Sequence, residues 1–232
     1  MIEQLIQWDK ELLVALNGSS SLFLDGIMMA ITETTTWIPL FLCLLYIVVR
    51  NNSWRNALFI IVTVALLVLL CDQFASGFCK PFFHRLRPSR EPELAEVIDL
   101  VNGYRGGHYG FISSHAANTF GISVFFSLLF DNKKVTPLLL LYACLASYSR
   151  IYLGVHYPLD ILTGALWGVF CGMMVFVLYH WLYRRFNPSP SMYSSLYTFT
   201  GYRRTDFIPL FYIFPIILVF IISRGVLFAA SS

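Results

Sequence analysis

Long runs of apolar residues constrain this chain more than any other feature of its sequence. Hydrophobic residues make up 57% of its 232 residues and charged residues only 12%, whereas a soluble domain carries roughly a quarter charged residues. Several runs reach the ~20 apolar residues that a helix needs to cross a bilayer. The sequence therefore predicts an all-α fold, a polytopic bundle of membrane helices.

The apolar runs predict six transmembrane helices in one membrane-embedded domain that covers residues 1–232. The predicted spans are residues 22–49, 56–79, 116–130, 135–149, 159–183 and 207–229. The first span is interrupted at residues 32–36, where Glu33 lies either near an interface or turned inward. A long polar loop, residues 80–112, separates the second span from the third and is rich in glycine and proline.

Residues 1–21 predict an amphipathic helix that lies in the membrane interface, followed by a polar break. Its apolar residues recur at helical spacing, with charged residues between them. The apolar set is Leu5, Trp8, Leu12, Leu13 and Leu16, and the charged set is Glu3, Asp9, Lys10 and Glu11. The basic region and cleavage site of a signal peptide are not found here.

Charge and cysteine content argue against other classes of function. A formal net charge of +3, with no basic cluster interleaved with aromatic residues, does not favour nucleic-acid binding. The five cysteines are scattered in or beside apolar runs without metal-ligand spacing, so we interpret them as packing residues.

Lysine and arginine in short loops indicate the cytoplasmic side of a membrane protein. A raw count gives eight on each side, but one set fills compact turns with few acidic residues. We assign that set to the cytoplasm, namely Arg50, Arg55, Lys133, Lys134, Arg184, Arg185, Arg203 and Arg204. Residues 80–87, His115 and residues 150–160 then meet at the opposite, outer face.

The first polar stretch at that face runs from Lys80 to Arg87 and Pro88. Lys80 is a mobile point charge and Arg87 a rigid bidentate donor, a pair suited to an anion with several oxygens. A basic flank after a span also binds lipid headgroups nonspecifically, and taken alone the stretch favours that interpretation.

The second polar stretch places Ser113 and Ser114 before His115 at the start of the third span. Serines here are good N-caps, and capping alone would explain them. The exposed N–H groups of a helix start also bind phosphate, and His115 is placed to donate a proton to a leaving oxygen. Taken alone, a structural histidine is the simpler interpretation.

The third polar stretch holds Arg150, His156, Pro158 and Asp160 between the fourth and fifth spans. Pro158 suits the first position of a helix, which lets Asp160 reach back as in a capping box. A carboxylate on one ring nitrogen of His156 leaves the other basic, as a nucleophilic histidine requires. Arg150 offers donors matched to phosphate. The alternative is a snorkelling arginine beside a capped helix.

Together, Lys80-x6-Arg87-Pro88, Ser113-Ser114-His115 and Arg150-x5-His156-x3-Asp160 resemble the three signature motifs of the type-2 phosphatidic acid phosphatase family, which shares its active site with vanadium haloperoxidases. The resemblance implies an integral-membrane lipid phosphatase in which His156 attacks phosphorus, Asp160 holds its ring, and His115 protonates the leaving group. It also implies phosphate binding without a metal or other cofactor, by Lys80, Arg87, Ser113, the backbone N–H of Ser114, and Arg150.

The middle motif departs from the family's usual Pro-Ser-Gly-His, because Ile112 and Ser114 replace proline and glycine. The added Cβ narrows the space beside the phosphate, but serine is small and its N–H remains, so we expect activity. The glycine-rich loop before it is pliable enough for a substrate lid. Its residues Arg105, His108 and Tyr109 are candidate headgroup contacts, although an ordinary flexible loop explains them equally well.

The expected partners are a lipid phosphate substrate and membrane lipids, at the periplasmic face of a bacterial inner membrane. Undecaprenyl pyrophosphate and lipid A are favoured over phosphatidylglycerol phosphate and phosphatidic acid, because an outward-facing site meets them. The alternative is a transporter or a non-catalytic membrane protein that binds an anion or lipid. Such a protein has no use for a His156–Asp160 pair.

Overall fold

The structure is a computed structural model that describes residues 1–186 and 195–231, and in these ranges it contains helices and loops but no β-strand. The helices are α1 (Ile2–Leu16), α2 (Leu22–Thr32), α3 (Ile38–Asn51), α4 (Trp54–Asp72), α5 (Lys80–Phe83), α6 (Ser114–Phe130), α7 (Val135–Tyr152), α8 (Pro158–Phe186) and α9 (Ile208–Ser231). The predicted all-α membrane fold is confirmed.

Four helical segments of the described chain are long and apolar enough to cross a membrane, namely Thr34–Asn51, Trp54–Phe83, Pro158–Arg185 and Arg204–Ser231. α2 and α6 are apolar but shorter. The count of six spans stays a prediction, because neither α6 nor α7 is among these four segments.

The interruption in the first predicted span is a real break between α2 and α3. The carbonyl groups that it leaves unpaired are satisfied by side chains just beyond it: Thr36 donates to the carbonyl of Ala30 at 2.6 Å, and the Trp37 indole donates to that of Ile31 at 2.9 Å. At the same level Glu33, which is part exposed, accepts a hydrogen bond from Arg224 of α9 at 3.3 Å.

α4 does not stop at Asp72 but continues through a π-helical segment, Gln73–Cys79, into α5. A π-helical turn changes the direction in which the following side chains point, and such turns are frequent at functional sites. Here it directly precedes Lys80. The helix ends at His84, whose left-handed backbone (φ 48°) starts the long loop.

α6 and α8 approach each other closely along a stripe of small residues. Gly164, Gly168 and Gly172 recur every fourth residue on one face of α8, and a Cβ at any of them would collide with a backbone oxygen of α6 or of Ser113. Small residues at this spacing let two membrane helices pack backbone to backbone. The stripe therefore sets the distance between the helices that carry the second and third motifs.

One face of the N-terminal helix is buried in the protein, which the prediction of an interfacial helix did not include. Trp8 is 62% exposed, as expected for an interfacial helix, but Leu13 is fully buried and Asp9 is only 1% exposed. Leu13 packs in a cluster with Leu94 and Tyr157. Asp9 therefore does not face solvent, because this face of α1 is covered by the rest of the protein.

Candidate active site

The second and third predicted stretches meet through the main chain. The N–H of Ser113, just before α6, donates to the carbonyl of Asp160 in the first turn of α8 at 3.0 Å. The close packing of the two helices makes this contact possible. The first stretch joins them through the long loop, since Arg87 reaches the loop between α7 and α8.

His156 and Asp160 form the pair that the sequence predicts. α8 begins at Pro158, and Oδ2 of Asp160 accepts the backbone N–H of Tyr157 at 3.1 Å, the predicted capping contact. The same oxygen lies 3.3 Å from Nδ1 of His156. Both side chains are buried, with His156 2% exposed and Asp160 fully enclosed. The carboxylate thus fixes the ring and assigns its proton to Nδ1.

Arg87 lies against the other side of the His156 ring. Its Nη1 is 2.9 Å from Nε2 of His156 and donates to the carbonyl of Val155 at 3.1 Å, while its Nε donates to the carbonyl of Tyr109 at 3.1 Å. Burial and the nearby charge of Arg150 lower the pKa of Arg87 to about 10. The guanidinium stays charged at neutral pH, and these three hydrogen bonds fix its position.

Lys80 reaches the second motif at the end of a short polar chain. Its Nζ lies 3.3 Å from Oγ of Ser114 and 2.9 Å from Oγ of Ser76, which in turn donates to Asp72 at 3.2 Å. Ser76 lies between Asp72 and Lys80, so Asp72 orients Lys80 indirectly.

Arg150 lies at the end of α7, where its Nη1 donates to Thr32 at 2.6 Å and to the hydroxyl of Tyr104 at 3.0 Å. Its Nε is buried and has no hydrogen-bond partner among the described residues. Its main-chain carbonyl accepts the N–H groups of Val155 and His156 at 3.1 and 3.3 Å, which holds the loop that carries the histidine. A buried donor without a partner is uncommon in a folded protein and is available to a ligand.

Ser113 caps α6 as predicted, accepting the N–H of Ala116 at 3.3 Å. His115, two residues along, is largely buried, and its Nε2 finds no partner in the part of the chain that the structure describes. A buried ring nitrogen without a partner is uncommon in a folded protein and is available to a ligand. Ser114 lies between them, with its N–H in the first turn of the helix.

The combined electrostatic environment suits an anion. Burial, followed by the charges of Arg87, Arg150 and Lys80, lowers the pKa of His156 well below its ordinary value of 6.5. The ring is therefore neutral at physiological pH, with three cations around it. Neutral imidazole beside a cationic cluster is the arrangement required for nucleophilic attack on a phosphate.

The three candidate headgroup residues lie at the edge of this site. Arg105 and His108 are exposed on the long loop, and Tyr109 is half-buried. Tyr109 reaches the site through its carbonyl group, which binds Arg87, and its ring packs edge-on against those of His84 and His108 at 4.9 Å. Any contact from these three side chains to a headgroup stays a prediction.

The glycines of this loop serve close packing as well as flexibility. A Cβ on Gly106 would lie 2.6 Å from Nη1 of Arg87, and one on Gly110 would lie 2.9 Å from Oδ2 of Asp160. The loop backbone therefore lies directly against the side chains of Arg87 and Asp160.

Arg85 was not predicted as a site residue. It donates from Nη1 to Oδ1 of Asp160 at 2.9 Å and from Nη2 to Oδ2 of Asp9 at 2.6 Å. Arg85 lies within the first motif, so its position in the sequence could have indicated a role in the site. The role of Asp9 had no sequence signal, because an aspartate on an amphipathic helix is ordinarily solvated.

A comparison with protein families agrees with this geometry. The sequence model of the PAP2 superfamily matches residues 56–186, which include all three motifs. This chain belongs to the PAP2 superfamily. The predicted family is therefore confirmed.

The relatives of this chain include proteins named as phosphatases of lipid substrates. The chain is 41% identical over 186 residues to the lipid A 4'-phosphatase of Bacteroides thetaiotaomicron, covering 80% of this chain and 83% of that protein. It is 29% identical over 169 residues to the undecaprenyl-diphosphatase of Sulfolobus acidocaldarius, covering 72% and 76%. The predicted enzyme class, a lipid phosphatase, is confirmed.

The PAP2 fold is also seen in a related solved structure. The crystal structure of LpxE from Aquifex aeolicus superposes with a TM-score of 0.54 at 27% identity, covering 72% of this chain and 93% of that one. The matched fold thus spans most of both proteins.

Proposed function

We propose that this PAP2 enzyme hydrolyses lipid phosphates in two steps through a phosphohistidine on His156. The observation that carries the proposal is the His156–Asp160 pair, buried at 3.3 Å beside the guanidinium of Arg87. An anion-binding protein needs the cations but not an imidazole fixed on one nitrogen by a carboxylate.

In the first step Nε2 of His156 forms a bond to phosphorus while the bond from phosphorus to the lipid oxygen breaks. His115, which must carry an extra proton when the substrate is bound, transfers it to that leaving oxygen and becomes neutral. The Nδ1 proton of His156 stays hydrogen-bonded to Asp160, which stabilises the positive charge that develops on the ring.

In the second step His115 accepts a proton from a water molecule, whose oxygen attacks phosphorus. The bond between phosphorus and Nε2 breaks, and inorganic phosphate leaves. Both histidines return to their starting protonation states, so the cycle balances without a redox partner.

The phosphoryl oxygens would be bound by Lys80, Arg87, Arg150, Ser113 and the N–H of Ser114, where negative charge spreads in the transition state. Arg87 would have to move from Nε2 of His156 to a phosphoryl oxygen as the substrate enters. Metal independence is part of the proposal, since the chemistry needs only these groups.

The favoured substrate is a phosphate monoester of lipid A. The support is the similarity to a lipid A 4'-phosphatase, at 41% identity over most of both chains. Undecaprenyl diphosphate is the second candidate, supported by the more distant relative named for that activity, at 29% identity.

We also propose six spans with α1 in the interface, a bacterial inner-membrane location, and a periplasmic active site. The compact basic turns support this orientation. Labelling of intact cells with an impermeant thiol reagent tests it: Arg105→Cys should react and Lys134→Cys should not, and the reverse pattern refutes it.

The decisive experiment for the reaction is phosphate release by purified protein from four lipids: lipid A, undecaprenyl diphosphate, phosphatidylglycerol phosphate and phosphatidic acid. We expect the highest kcat/KM with lipid A, unaffected by EDTA, and acid-labile phosphate trapped on His156 during turnover. No release from any of the four would refute the activity, and loss of activity in EDTA would refute metal independence.

A further inference from the structure

α1 places an acidic side chain, Asp9, against the first turn of α8. Oδ2 of Asp9 accepts a hydrogen bond from Arg85 at 2.6 Å, and Oδ1 accepts one from the backbone N–H of Leu159 at 2.9 Å. Both oxygens are therefore occupied, in a side chain that is 1% exposed. A buried carboxylate bonded at both oxygens is fixed in position.

Arg85 divides its two terminal nitrogens between two carboxylates. Nη2 binds Asp9 and Nη1 binds Oδ1 of Asp160 at 2.9 Å, while the guanidinium stacks 4.0 Å from the ring centre of Tyr157. A guanidinium that faces a single carboxylate often binds both of its oxygens. Because Asp9 holds one nitrogen here, Arg85 engages one oxygen of Asp160, and Oδ2 stays available to His156.

We propose that Asp9 is a positioning residue for the hydrolysis, acting through Arg85 to hold Asp160 with Oδ2 turned toward Nδ1 of His156. This inference rests on the histidine mechanism proposed above. It makes α1 part of the catalytic apparatus in addition to any contact with the membrane.

Asp9 also balances charge in this region. Arg85 adds a fourth positive charge to those of Lys80, Arg87 and Arg150, and the Asp9 carboxylate offsets it. Burial raises the pKa of Asp9, while the hydrogen bonds from Arg85 and from the N–H of Leu159 oppose that shift. Loss of this carboxylate would leave His156 in a more positive environment.

α1 offers matched controls, because two other contacts also attach it to the protein. Lys10 forms an ion pair with the exposed Glu93 at 2.6 Å, and Leu13 is fully buried in an apolar cluster. Glu93→Gln removes an ion pair of the same helix, and Leu13→Ala loosens its docking. The Glu93 ion pair does not lead to Asp160. Leu13 shares its cluster with Tyr157, so Leu13→Ala shows what looser docking of α1 does when the Asp9–Arg85 contact is kept.

The test is steady-state kinetics on Asp9→Asn, with lipid A as substrate. We expect kcat to fall about tenfold to a hundredfold, the size of effect seen when a group that orients a working imidazole is lost. KM should stay within about twofold, because Asp9 does not contact substrate. Asp9→Asn combined with Arg85→Gln should be no slower than Arg85→Gln alone, since both act through one link.

The pH profile distinguishes positioning from a merely structural role. His156 is faced by Asp160, Arg87, Arg150, Lys80 and His115, with Arg85 behind Asp160. Loss of the Asp9 charge disfavours protonated His156, so the acidic limb of kcat/KM should move to lower pH in Asp9→Asn. Leu13→Ala should lower the apparent Tm and leave that limb in place, and Glu93→Gln should change neither.

Wild-type kcat in Asp9→Asn would overturn the proposal. So would a loss of kcat with an unmoved acidic limb, as in a loosened helix. If Asp9→Asn does not fold, Arg85→Gln in the full chain takes its place. Because it removes a positive charge, its acidic limb should move to higher pH, and an unmoved limb would overturn the proposal. Failure of the proposed function is separate, because the wild-type enzyme itself would then release no phosphate.

Discussion

Arg87 donates a hydrogen bond to Nε2 of His156, with 2.9 Å between the two nitrogens. A guanidinium has no lone pair to offer, so Nε2 must be the acceptor and the ring proton must lie on Nδ1, toward Asp160. The nitrogen that would attack phosphorus is thus occupied by the residue that would bind the phosphoryl oxygens. Substrate entry must replace one contact by the other.

Arg87→Lys should lower kcat/KM about a hundredfold or more, the loss seen when one preorganised donor to a developing oxyanion is removed. A lysine keeps the charge but cannot bind Val155, Tyr109 and His156 from one planar group. The measurement is phosphate release from lipid A under first-order conditions. The control is Arg90→Gln, three residues along and exposed, which should keep wild-type activity. A fully active Arg87→Lys variant would contradict the role given to the planar group.

Alanine substitutions of the two histidines should have different effects on turnover. His156→Ala should abolish turnover with every substrate, because no nucleophile remains. His115→Ala should lower turnover of lipid A by about 10²–10⁴-fold, the usual contribution of general acid–base catalysis. With an aryl phosphate, whose leaving group needs no proton, His115→Ala should form the phosphoenzyme and hydrolyse it slowly.

Acid-labile protein phosphate after rapid quench measures this difference. It should accumulate in His115→Ala and be undetectable in His156→Ala, while the wild-type enzyme lies between them. Equal labelling of the two variants would show that the covalent bond forms elsewhere and would reject the proposed nucleophile.

Much of the site could be predicted because its residues lie close together in sequence within each stretch. Pro158 and Asp160 are two residues apart, so the helix start and its capping contact to the N–H of Tyr157 follow from local rules. Ser113 caps α6 for the same reason. The packing of α6 against α8, which brings the stretches together, is harder to predict from the sequence. The Gly164-x3-Gly168-x3-Gly172 pattern does indicate close helix packing.

Contacts between distant segments could not be predicted in this way. Asp9 reaches Arg85 across 76 residues and the N–H of Leu159 across 150. On sequence alone its helix is adequately explained by the membrane interface, because the apolar stripe satisfies that pattern. Only the three-dimensional structure shows that one face of this helix is covered by other parts of the protein.

The glycine stripe on α8 should tolerate no side chain at its centre. Gly168→Ala places a methyl group against the carbonyl of Ala117, and overpacking of this kind costs about 1–3 kcal/mol. Because the stripe also aligns Ser113 with Asp160, activity should fall together with the apparent Tm. Gly107→Ala is the matched control, since a Cβ there meets nothing within 4 Å. Equal stability of the two variants would contradict the packing argument.

The neutral state of His156 should make stability depend on pH. Its pKa in the folded protein lies well below 6.5, mainly through burial, whereas in the unfolded chain the ring takes up a proton near that pH. As the pH falls below 6.5, the unfolded state binds more protons, so folding loses about 1.4 kcal/mol per pH unit until the folded pKa is reached.

The check is the difference in apparent Tm between the wild-type protein and His156→Asn, measured from pH 7.5 to pH 5. Asparagine has no proton to gain, and His115 is common to both proteins, so its contribution cancels. We expect the wild-type protein to lose stability relative to the variant as the solution becomes more acidic. A difference that stays constant over this range would mean that His156 has the same pKa in the folded and the unfolded protein. A wild-type gain in stability on acidification would mean that the folded protein holds a protonated ring. Either result would contradict the neutral, buried imidazole.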